Sequence, residues 1–162
     1  VSSAVLLERV EKVIKLTTVE GNFSEIYNYK DHIVADIWPL RKKALVRVNA
    51  TVAVGFNFEE VVITIDETDK IVKIDKMPAP EVLSIDHDID YYNFENGIFN
   101  MINNKDITDM GAKAKDFIEQ KALESDLLAQ ATTQRNELFE ILALAIQGAG
   151  WKLELEGKPL KG

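Results

Sequence analysis

The chain has 162 residues, 46% apolar and 28% charged, with a formal net charge of −8. That composition suits one globular domain with a core of its own and sets aside disorder over most of the length. There is no cysteine, which excludes disulfides, thiolate metal sites and cysteine nucleophiles. Residues 61–110 hold four basic and eleven acidic side chains, net −7, against net 0 for residues 1–60 and −1 for residues 111–162. An acidic middle third excludes a phosphate-binding surface, so no nucleic acid partner is expected.

Ser2 and Ser3 precede an apolar stripe of Val5, Leu6, Val10, Val13 and Ile14, with Glu8, Arg9, Glu11 and Lys12 opposite. This predicts an amphipathic helix over 3–15. Leu16-Thr17-Thr18-Val19 favours a strand. Gly21-Asn22 breaks that pattern and Phe23 to Tyr29 resumes it, which predicts a hairpin. Ile33 to Trp38 reads as a short strand ended by Pro39.

The strongest signal follows. Val46, Val48, Ala50, Val52, Val54, Phe56 and Phe58 alternate with Arg47, Asn49, Thr51, Ala53, Gly55 and Asn57. This predicts a long strand with one buried and one polar face. Residues 61–65 and 71–74 flank a polar turn and predict a hairpin. After Met77-Pro78-Ala79-Pro80, residues 81–91 return to strand character. Ile85, His87, Ile89 and Tyr91 share one face; Asp86, Asp88 and Asp90 share the other.

Two helices are expected over 106–147. The first carries Met110, Ala114, Phe117 and Ile118, with Gly111 weakening its first turns. The second restarts at Ser125 and carries Leu127, Leu128, Ala131, Leu138, Ile141, Leu142 and Ala145 until Gly148-Ala149-Gly150 stops it. Trp151, Leu153 and Leu155 predict a final strand over 151–156, and the tail 157–162 reads as loose. The expectation is a single α+β domain over 1–162: a mainly antiparallel sheet, a short N-terminal helix, and a C-terminal helical pair packed on one face.

The search for chemistry gives no catalytic residue and no cofactor-binding motif, so the expectation leans away from an enzyme. His32 and His87 have no Gly-x-Ser-x-Gly elbow to serve. No glycine-rich phosphate loop is present. Arg41-Lys42-Lys43 is a short basic run that suits a solvated strand start better than a lipid contact. Tyr27, Tyr29, Tyr91 and Tyr92 have no basic cluster beside them, so cross-strand packing accounts for them better than stacking on bases. Asp86, Asp88 and Asp90 are the only metal candidates, since alternate positions project three carboxylates on one side. They fail the calcium-loop pattern, with Tyr91 where a glycine belongs and Gly97 where a glutamate belongs. A solvated polar face is the simpler account of them.

The order of segments resembles a bacterial domain family of unknown function. The residues that carry the likeness are the strand 45–58, the segment Met77-Pro78-Ala79-Pro80-Glu81-Val82-Leu83-Ser84, and a helical pair with Ala114, Ala122, Leu127-Leu128, Ala131, Leu138 and Leu142 before Gly150-Trp151. In the family the proline segment reads Leu-Pro-x-Pro-Glu-Ile-Leu, so Met77 and Val82 depart conservatively. The likeness spans roughly residues 5–156. It implies an envelope protein with one N-terminal transmembrane helix, and hence a membrane anchor ahead of Val1 that this chain lacks, with the extracytoplasmic side favoured. It supplies no catalytic residue and no cofactor. Two functions are then expected: a non-catalytic, membrane-tethered domain for protein binding or self-association, or a small-ligand-binding domain or hydrolase with a pocket between sheet and helices.

Overall fold

The computed structural model describes residues 1–28, 44–94 and 104–161. The fold is α+β. The order is α1 (Ser3–Lys15), β1 (Val19–Asn28), β2 (Ala44–Gly55), β3 (Val62–Asp66), β4 (Ile71–Lys76), β5 (Glu81–Phe94), α2 (Asn104–Glu124), α3 (Leu127–Gln147), β6 (Lys152–Leu155) and β7 (Lys158–Pro159). The chain forms two compact units, Val1–Val19 with Ala53–Leu83 and Asp126–Gly162, and Glu20–Val52 with Ser84–Ser125.

The first unit contains a four-stranded mixed sheet in the order β3-β4-β6-β7. β3 and β4 are antiparallel, β4 and β6 parallel, β6 and β7 antiparallel. The register sets Ile63 beside Ile74, Ile65 beside Val72, Val72 beside Leu153 and Ile74 beside Leu155, so these residues share one face. Helices cover that face: α1 packs on α3 and reaches β3, and α3 packs on β6. Leu6, Val10 and Ile14 of α1 are buried, as are Val72, Ile74 and Leu153 of the sheet. Each such side chain contributes roughly 1.5–3 kcal/mol by leaving water. The other face carries Thr64, Lys73, Lys152 and Glu154.

Local chemistry sets the ends of these elements. The Ser2 hydroxyl accepts from the Val5 amide and starts α1. α3 stops in a Schellman arrangement: Gly150 has φ +82, its N–H bonds the Gln147 carbonyl, and the Trp151 N–H bonds the Ile146 carbonyl. The Asp66 carboxylate accepts from the Thr68 and Asp69 amides and closes the β3–β4 turn. The Asp69 amide, above all, holds the Asp66 carboxyl below the ordinary aspartate value. The β6–β7 turn uses Glu156 at φ 49 and Gly157 at φ 80, two left-handed residues in succession, as a two-residue hairpin turn requires. The Glu156 carboxylate also accepts from the Met77 amide at 3.2 Å.

The second unit contains the antiparallel sheet β1-β2-β5, with β2 in the middle, and helix α2. β2 buries Val46, Val48, Ala50 and Val52 in this unit, and α2 buries Met110, Ala114, Ile118 and Ala122. The Tyr27 ring lies 5.3 Å from the Phe117 ring and ties β1 to α2.

Several expectations change. Residues 16–29 are not a hairpin: Val19 to Asn28 is one strand that runs straight through Gly21-Asn22. Neighbours on β2 hold it in place, with the Thr51 hydroxyl donating to the Asn22 side-chain oxygen. The long strand ends at Gly55, short of Phe58, because the Asn57 side chain accepts from the Glu59 amide and caps a single 3-10 turn over Phe58–Glu60. The tail is not loose, since β7 pairs with β6. α2 begins at Asn104, ahead of the expected start. The expected strand 33–38 lies outside the described residues.

Gly55 sits where a side chain would be crowded. A Cβ there would lie 2.9 Å from Leu83 Cδ1, 3.1 Å from Thr18 Oγ1 and 3.4 Å from the Thr18 Cα. Leu83 must turn aside and the Thr18 hydroxyl must give by a few tenths of an ångström, while the Thr18 Cα is at ordinary contact distance. Gly55→Ala is expected to lower stability by about 1–2 kcal/mol through overpacking, read as an earlier urea midpoint with an unchanged slope.

Candidate functional site

Alternation along three strands builds one polar face in the second unit. β2 turns its apolar residues inward, which leaves Arg47, Asn49 and Thr51 on the other side. β1 adds Asn22 and Ser24, and β5 adds Asp86, Asp88 and Asp90, all exposed. His87, one step out of phase, is half-buried with Ile85 and Ile89.

Asn49 joins the strands. Its side-chain oxygen accepts from the Ser24 hydroxyl at 2.8 Å, and its Nδ2 donates to Asp90 Oδ2 at 3.1 Å. Arg47 Nε stands 3.9 Å from the same Asp90 oxygen. The Thr51 hydroxyl donates to Asn22 at 3.0 Å. Exposed pairs of this kind contribute little each; their value is that they order the side chains across β1, β2 and β5.

Of the three aspartates, Asp90 is engaged by Arg47 and Asn49. Asp86 and Asp88 line an open hollow of about 460 Å³ together with Asn22, Ser24, Asn49 and Thr51. Its chemistry is two carboxylates among amides and hydroxyls, rich in acceptors and suited to a cationic or polyhydroxylated group. Among the described residues, no three His, Asp or Glu side chains come together in a way that would hold a metal ion.

Tyr27 packs on Phe117 of α2, a strand-to-helix contact in place of the expected cross-strand one. Tyr29, His32 and the basic run 41–43 lie outside the described residues. Tyr91 and Tyr92 are in β5, but their side chains lie outside the description. Sequence reasoning passed over Asn22 and Ser24, because Gly21-Asn22 looked like a break. The period-two positions of Asn22, Ser24 and Ile26 were the signal that places them on one face.

The second place of interest is the outer side of α3 in the first unit. Leu127, Ala131 and Leu142 are buried as the apolar stripe predicts, and Phe139, Ala143 and Ile146, outside the expected stripe, are buried as well. Ile141 and Ala145, expected on that stripe, are not: both are exposed, and Ile141 and Leu144 keep 63% and 60% of their surface in water. Successive residues are 100° apart on a helix, so Ile141 lies well away from the buried stripe centred on Leu142 and Ile146.

The profile of the family described as "Protein of unknown function (DUF4230)" matches residues 8–155. The chain belongs to that family. No curated protein and no solved structure matches it. The matched segment of this DUF4230 chain includes both the polar sheet face and the exposed side of α3. Among the described residues, no helix is long and apolar enough to cross a membrane.

Asn49→Ala removes the two bonds that join Ser24 to Asp90. The expected loss is about 0.5–1 kcal/mol of stability, modest because water replaces both partners, measured by urea unfolding. An unchanged midpoint would show that the ladder does not stabilise the sheet.

Proposed function

We propose that this DUF4230 chain is the non-catalytic part of a membrane-tethered envelope protein, acting by protein binding or self-assembly. One observation carries the binding half: Ile141 and Leu144 stand mostly in water on the outer side of α3, whose opposite stripe is already buried. A helix with a second apolar side has more apolar surface than its own fold uses. The tether rests on the likeness of the strand 45–58 and the proline segment 77–84 to those of single-span envelope proteins. An anchor would hold the unit at a bilayer, where even weak pairing is favoured by a raised effective concentration.

Fractionation of cells making the full-length protein tests the tether. The expected result is recovery in the membrane fraction, retained after a carbonate wash and released by detergent. Recovery in the washed supernatant would sink it.

A second reading, ligand binding, is favoured by the hollow beside Asp86 and Asp88. It would take a divalent or organic cation on the sheet face, not a molecule held between sheet and helices. Millimolar calcium or spermidine is then expected to raise the melting temperature, and Asp88→Asn to reduce the rise. An unmoved melting temperature with both cations would remove this reading.

A further inference from the structure

We draw no further inference here: the strongest candidate, the open hollow on the polar face of the β1-β2-β5 sheet where Asp86 and Asp88 stand, belongs to the site already described, and nothing in the structure beyond that acidic pair points to a ligand.

Discussion

Strand β2 buries Val46, Val48, Ala50, Val52 and Val54 on one side, and the period of two leaves Arg47, Asn49 and Thr51 no place but the other. A slip of one residue would put five apolar side chains in water, so the register is fixed by burial. Everything on the polar face follows from that constraint. Asn49 can reach both Ser24 and Asp90 because β2 is the middle strand, and the aspartates of β5 stand on the same side because their own alternation agrees.

The other unit is governed by a different match. Ile63, Ile65, Val72, Ile74, Leu153 and Leu155 share one face because an antiparallel pair and a parallel pair are both in register with β4. α1 and α3 lie on that face. α1 buries the stripe of Leu6, Val10 and Ile14 and exposes Val5 in part. α3 has apolar residues on both sides, and the sheet needs only one of them. That surplus separates a helix serving its own fold alone from one with surface left for something else.

Much of the architecture was legible in the residues. Ser2 starts α1 and Gly150 closes α3, as capping chemistry predicts, and the break between the two long helices falls beside Ser125. What misled was local punctuation judged without its neighbours. Gly21-Asn22 reads as a break, yet pairing with β2 carries the strand through. The alternation beyond Gly55 reads as strand, yet Asn57 caps a turn there. The tail reads as loose because one short strand has no visible partner in the sequence. The exposed side of α3 was the hardest case. Ile141 and Leu142 are neighbours in the chain and equally apolar, and only the packing of α3 decides which one is covered. The polar face was half legible: its aspartates stood out by density, while Asn22 and Ser24 were hidden by the apparent break.

The left-handed Glu156 has a reach beyond its own hairpin. The passage from β4 to β5 runs through Met77-Pro78-Ala79-Pro80, and two of those four residues have no amide hydrogen to give. Met77 is the last donor before the prolines, and Glu156 accepts it. The β6–β7 hairpin therefore holds the start of the proline segment, within the same compact unit. A change in that hairpin is felt 79 residues earlier in the chain, at the entry to the prolines.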